Sequence, residues 1–266
     1  MTDALDDFER TTFTHEGKTR DVLTRGSGPA VIVIAEIPGV TPKVADFARR
    51  VVDVGCSVWL PVLFGTPGRD VSMGYAMSSI GPACVSKEFA AFALGRTAPV
   101  TDWLRALAAH AHETCGGPGV GAIGMCFTGN FALGMAVDDR MLAPVLSQPS
   151  LPLPVGKKRR ADIHLSPADL EVVKRRADDD GVCVLGLRFT GDRAVPPERF
   201  ATLRRELGDA FIAVEIDSSK GNPFNIRRMA HSVVTEDLVD EPGHPTHDAL
   251  NQVLDFFRER LVEVTA

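Results

Sequence analysis

The sequence predicts an α/β fold, a mostly parallel sheet with helices on both faces. Three observations carry this. Short continuous apolar runs of strand length recur along the chain, as strands buried on both faces require. Stretches with helical periodicity lie between them, and the two kinds of segment alternate almost without exception. No internal repeat and no linker rich in Gly, Ser or Pro divides residues 1–266, so one domain is expected.

Residues 12–22 alternate around Gly17 like an edge hairpin, within an amino-terminal stretch of residues 1–29. Residues 30–35 form the first fully apolar strand. A helix follows, with Pro42 at its first position, an apolar stripe of Val44, Phe47, Ala48, Val51 and Val52, and Gly55 as its stop. Residues 57–63 form the next buried strand. The alternation then continues with a helix near 101–113, a strand at 120–125, a helix at 130–137 and a strand at 142–146. Ser166 and Pro167 open another helix, followed by a strand at 182–189, a helix at 197–207, a strand at 211–216 and a final helix at 246–262. Three segments stand outside the pattern: 64–85, 147–160 and 218–243. In an open parallel sheet, ligands bind at the carboxyl ends of the strands, so these connections are candidate walls of a site, or plain loops.

The net charge of −6 disfavours a nucleic-acid partner. With 44% apolar and 24% charged residues the composition is that of a water-soluble globular protein. No apolar run is long enough to span a bilayer, so no membrane partner is expected. Residues 1–7 are acidic and lack a signal peptide's basic start and apolar stretch, which makes a cytoplasmic location the expectation. Five scattered cysteines fit reduced thiols better than a disulfide framework.

The strongest chemical signal is Gly124-Met125-Cys126-Phe127-Thr128-Gly129, between an apolar strand and a helical segment. It reads as a nucleophile elbow, a sharp turn whose small neighbours let the backbone fold around an exposed nucleophile, here a thiol. A helix amino terminus favours the thiolate, the reactive form. The competing reading is a small buried cysteine. Gly119-Val120-Gly121-Ala122-Ile123-Gly124 also matches the dinucleotide fingerprint, but that motif should follow a strand and open a helix, whereas these residues read as the strand itself.

A thiol nucleophile needs a base and a group that orients it, in the chain order nucleophile, acid, histidine. Asp192, after the strand at 182–189, supplies the acid, unless it only caps the next helix. His231, after the last strand, supplies the base, unless it is an ordinary loop histidine. His244 and His247 read as polarity at a helix start, and His110 and His112 cannot face one ligand together. His15 lies in the hairpin and His164 in a polar segment. No metal-ligand spacing is present, so neither a metal nor a cofactor is expected. Glu36, a carboxylate ending an apolar strand, should have a partner: loop N–H groups, or the thiol. The N–H groups of Ile37 and Phe127 would make an oxyanion hole.

Taken together, these residues resemble the dienelactone hydrolase family, small cysteine hydrolases of the α/β-hydrolase fold, from about residue 31 to 261. The marks are Ile34-Ala35-Glu36-Ile37-Pro38-Gly39-Val40, Leu60-Pro61-Val62-Leu63-Phe64, the elbow, Gly191-Asp192 with Val195-Pro196, and Ala230-His231-Ser232. The resemblance implies Cys126 as nucleophile, His231 as base, Asp192 as its orienter, and Glu36 as the acid that meets the thiol in the resting site. It implies a small ester or lactone as substrate, no cofactor, and a monomer or homodimer. The family's elbow usually has glycine where Thr128 stands. Its dienelactone hydrolases proper carry a substrate-binding arginine where Thr235 stands, with Arg69, Lys87 and Arg96 as alternative cations or plain surface charges. The stretch 147–160 is longer than the family's usual connection, and its run Lys157-Lys158-Arg159-Arg160 is expected to face solvent. A thioesterase or acyl-transfer enzyme using the same triad, and a catalytically silent binding protein of the same fold, remain open.

Overall fold

The alternation of buried strands and amphipathic helices closes into one eight-stranded sheet in the computed structural model, which describes residues 5–265. The hairpin comes first: β1 (Glu9–His15) pairs antiparallel with β2 (Lys18–Gly26), turning at Glu16 and Gly17. Next come β3 (Ala30–Ile34), α1 (Pro42–Asp53), β4 (Ser57–Pro61), α2 (Met73–Val85) and α3 (Val100–Cys115). Then follow β5 (Val120–Met125), α4 (Phe131–Met135), β6 (Met141–Ser147), α5 (Gly156–Ala161) and α6 (Pro167–Asp179). The chain ends with β7 (Val184–Phe189), α7 (Pro197–Leu207), β8 (Phe211–Ile216) and α8 (Pro245–Phe257), the last continued by a π-helical turn at Arg258–Val262.

The strand order is β1-β2-β4-β3-β5-β6-β7-β8; β2 pairs antiparallel with β4, and β3 through β8 join parallel. The hairpin therefore forms one edge, as its alternation predicts. The fully apolar runs are strands buried on both faces: Ile32 and Ile34 of β3 point into one core, Val31 and Val33 into the other. The first core is covered by α3 (Trp103, Leu104, Leu107), α4 (Phe131) and α7 (Phe200, Leu203). The second is covered by α1 (Val44, Phe47, Val51) and α8 (Leu250, Val253, Phe257). Each such side chain contributes about 1.5–3 kcal/mol by leaving water. Among the described residues no helix is long and apolar enough to cross a membrane, and all five cysteines are free thiols.

Two stretches read as irregular contain helices. α2 fills most of 64–85, and α5 sits inside 147–160. The latter connection is organised by Arg199 of α7, which is fully buried and donates to the carbonyls of Pro149, Pro152, Asp162 and Arg159 at 2.7–2.9 Å. Burial pushes its pKa down to about 10. Lys157 and Lys158 are exposed as expected, and Arg159 and Arg160 are half-exposed at the surface, where Arg160 pairs with Glu198 and Arg159 donates to the Phe92 carbonyl.

Candidate active site

Five strands deliver their following residues to one end of the sheet: Glu36 after β3, Cys126 after β5, Ser150 after β6, Asp192 after β7 and His231 after β8. The elbow follows from local chemistry. Cys126 is held at φ +53, in the left-handed region, which for a side-chain-bearing residue costs about 1–2 kcal/mol. Its neighbours must be small. A Cβ at Gly124 would stand 2.2 Å from the Thr128 carbonyl oxygen, and one at Gly129 would stand 2.4 Å from Pro149 Cα. Thr128 is no disturbance: its hydroxyl accepts from the Met125 N–H at 2.9 Å and donates to the Ile34 carbonyl at 2.8 Å, tying the turn to β3. Residues 119–124 of the dinucleotide fingerprint lie in or directly before β5 and open no helix.

Asp192 is buried and caps nothing, since α7 begins after Pro196. One of its oxygens accepts from the Ala194 N–H at 2.8 Å; the other lies 2.6 Å from His231 Nδ1. Its approach depends on Gly191, where a Cβ would stand 2.4 Å from the Arg228 carbonyl oxygen. With Nδ1 given to Asp192, Nε2 is the nitrogen left for the sulfur. Cys126 Sγ, a His231 ring nitrogen and a Glu36 carboxylate oxygen all lie within 4.8 Å of one another. This trio could also take a divalent ion; its ligands come from three strand ends, so no local spacing in the sequence reveals it.

Burial works against an imidazolium at His231. The charge interaction with Cys126, the hydrogen bonds to Asp192 and Cys126, and the charge of Asp192 outweigh it, and the pKa of the ring stands well above its ordinary 6.5. A histidine raised in this way adds stability in full below its unfolded pKa and loses it as the pH rises through the folded value. The kcat/KM profile is therefore expected to keep its basic limb above pH 6.5, and Asp192→Asn should move that limb to lower pH by removing two of the stabilising interactions. A pH–rate series on both proteins checks this; an unmoved limb would mean that His231 does not set it.

Glu36 meets neither loop N–H groups nor the thiol alone. The Ser232 hydroxyl donates to Oε2 at 2.7 Å and the Thr235 hydroxyl to Oε1 at 2.5 Å, leaving both carboxylate oxygens occupied. Thr235, where the family resemblance would place a substrate-binding arginine, is thus buried against Glu36. Replacing it with valine should cost about 1–3 kcal/mol of stability by stripping a buried carboxylate of a donor; denaturant unfolding measures it, and an unchanged midpoint would show the bond to be dispensable. Arg69, Lys87 and Arg96 are all exposed.

Three contributors were missed by sequence reasoning. Ser150 Oγ lies 3.6 Å from Cys126 Sγ, in a loop whose path depends on Arg199. Ser232, beside the histidine, was not separated from its motif. Asp237 accepts from the His231 and Ser232 N–H groups at 2.8 and 3.2 Å and so fixes the loop that carries the base. Among the other histidines, His164 is buried with Nε2 3.0 Å from the Ala90 carbonyl oxygen, its pKa pushed down to about 4 by burial, and it belongs to the core. His244 caps α8 by accepting from Thr246 N–H.

Compared with known proteins, residues 20–261 match the family described as the dienelactone hydrolase family. No curated protein matches the sequence. Similar solved structures include a provisionally assigned dienelactone hydrolase from Klebsiella pneumoniae subsp. pneumoniae, with 18% identity, a TM-score of 0.62, and coverage of 94% of this chain and 97% of that one. A dienelactone hydrolase from Anabaena variabilis shows 14% identity, a TM-score of 0.62, and coverage of 96% and 99%. A dienelactone hydrolase-like promiscuous phosphotriesterase from metagenomic libraries shows 16% identity, a TM-score of 0.61, and coverage of 96% and 98%. At such identities the likeness is one of fold, an α/β-hydrolase-like sheet.

Proposed function

We propose, because the chain belongs to the dienelactone hydrolase family, that it is a hydrolase of small carboxylic esters or lactones acting through a Cys126-His231-Asp192 triad. The observation that carries this reading is the relay itself. Asp192 lies 2.6 Å from His231 Nδ1, and the other side of the ring faces a sulfur at a strand-to-helix turn.

The Cys126 thiolate attacks the carbonyl carbon and forms a C–S bond. The N–H groups of Ile37 and Phe127 receive the charge that collects on the carbonyl oxygen. As the tetrahedral species collapses, the C–O bond to the leaving alcohol breaks and His231 hands its proton to that oxygen. Neutral His231 then takes a proton from water, the resulting hydroxide attacks the acyl carbon, and the C–S bond breaks to restore the thiolate and imidazolium. In a lactone both products stay in one molecule. Asp192 keeps the ring in the tautomer this sequence needs. Glu36, held by Ser232 and Thr235, is a positioning residue beside the sulfur.

The test is to trap the intermediate. Brief reaction with an activated ester, acid quenching and mass mapping should find the acyl group on the peptide that carries Cys126. Turnover with the acyl label on another residue would remove the thiol from the mechanism. Thioesters pass through the same acyl-cysteine, and a rate comparison across ester, lactone and thioester ranks the three.

A further inference from the structure

Three of the side chains gathered at the strand ends are also metal ligands of different kinds: a thiol, an imidazole and a carboxylate. The Cys126 sulfur, a ring nitrogen of His231 and a Glu36 oxygen all lie within 4.8 Å of one another. Zinc bonds of about 2.3 Å to sulfur and about 2.0–2.1 Å to nitrogen or oxygen put neighbouring ligand atoms of a tetrahedron about 3.3–3.6 Å apart. Side-chain rotations that move these atoms by about 1 Å therefore close the trio around one ion.

The groups behind the trio are those that a metal site needs. Asp192 lies 2.6 Å from His231 Nδ1, the carboxylate–histidine pairing that fixes the tautomer and leaves Nε2 as the ligand. The Ser232 and Thr235 hydroxyls each donate to one oxygen of Glu36, which orients the carboxylate and leaves a second lone pair on each oxygen. Asp237 accepts from the N–H groups of His231 and Ser232, so the loop that supplies the imidazole is itself held. Cys126 and His231 are partly exposed, which gives an ion a way in from solvent. Bound as thiolate and carboxylate, Cys126 and Glu36 balance the charge of a dication, and a water completes the tetrahedron. One sulfur and one imidazole beside a single carboxylate favour zinc over magnesium or calcium, which take shells of oxygen.

We propose that Cys126, His231 and Glu36 form a binding site for zinc whose occupancy switches hydrolysis off. Coordination engages the sulfur and the Nε2 lone pair, the two that attack and proton transfer require, so the metal-bound protein can do neither. The binding stands on the geometry alone; the inhibition rests on the thiolate-hydrolase reading above.

The experiment titrates the purified protein with zinc chloride in a calorimeter and follows initial rates on an activated ester over the same concentrations. Wild type should bind one ion with a Kd of about 1 μM or tighter. Rates should fall with the same midpoint, recover with EDTA, and stay unchanged in millimolar magnesium or calcium. Glu36→Gln should weaken binding about 100-fold and Asp192→Asn, acting through the ring, about 10- to 100-fold. Cys126→Ala should lose both the tight site and the ultraviolet thiolate-to-cadmium band that one equivalent of cadmium gives wild type. Diffraction from zinc-soaked wild-type crystals at the zinc edge needs no variant: the anomalous peak should lie within bonding distance of Sγ, Nε2 and a Glu36 oxygen. Equal affinity in wild type and Cys126→Ala, an unchanged affinity in Glu36→Gln, or a peak elsewhere overturns the site. Tight binding there with undiminished rates overturns the switch. Failure of the hydrolase reading looks different: no ester is turned over with or without zinc, and calorimetry and diffraction still decide the site.

Discussion

Cys126→Ala is expected to lower turnover of an activated ester by about four orders of magnitude or more while the protein melts within a few degrees of wild type. The size follows from the proposed role: with the sulfur gone no acyl intermediate can form, and what remains is the contribution of the oxyanion donors and of substrate binding. The small effect on stability follows from the site. Cys126 is only partly buried, its sulfur meets the Ser150 hydroxyl at 3.6 Å and the His231 ring, and alanine meets the same left-handed backbone with a smaller side chain. Initial rates and a melting curve on the same preparation decide it. Activity within tenfold of wild type in a folded variant would end the thiolate account.

Asp192→Asn should be nearly as damaging, with kcat down about 10³- to 10⁴-fold. The bond of 2.6 Å to His231 Nδ1 fixes which ring nitrogen carries the proton. An asparagine can turn its NH₂ toward Nδ1, which holds the ring neutral with its single proton on Nε2, so the ring can take a proton neither from the thiol nor from the attacking water. The Ala194 N–H would still find a side-chain oxygen, so the loop should keep its shape. Steady-state kinetics separates the outcomes. A fall in kcat with little change in KM fits a role in the chemistry, whereas a rise in KM alone would make Asp192 a feature of the loop.

Much of this was legible because the strands are buried on both faces, which leaves runs such as residues 30–35 no way to hide. The elbow was legible for a related reason, since the glycines at 124 and 129 are demanded by backbone contacts of 2.2 and 2.4 Å that no other residue tolerates. The order Cys126, Asp192, His231 then had few competitors. α2 was not legible. Its sequence is rich in Gly, Ser and Pro, and among its described side chains only Tyr75 and Ala83 are buried, which gives no period to read. The partners of Glu36 depend on how the chain between β8 and α8 folds back, and that segment has no regular structure to announce its path.

The positive φ at residue 126 has a further consequence. At this position the chain bends the wrong way for an L-amino acid and yet must carry the sulfur, and glycine alone would sit there without strain. Cys126→Gly should thus outlast both wild type and Cys126→Ala on heating. A laboratory lineage selected for heat tolerance alone would drift toward inert molecules, and only simultaneous selection for turnover keeps the warped residue in place.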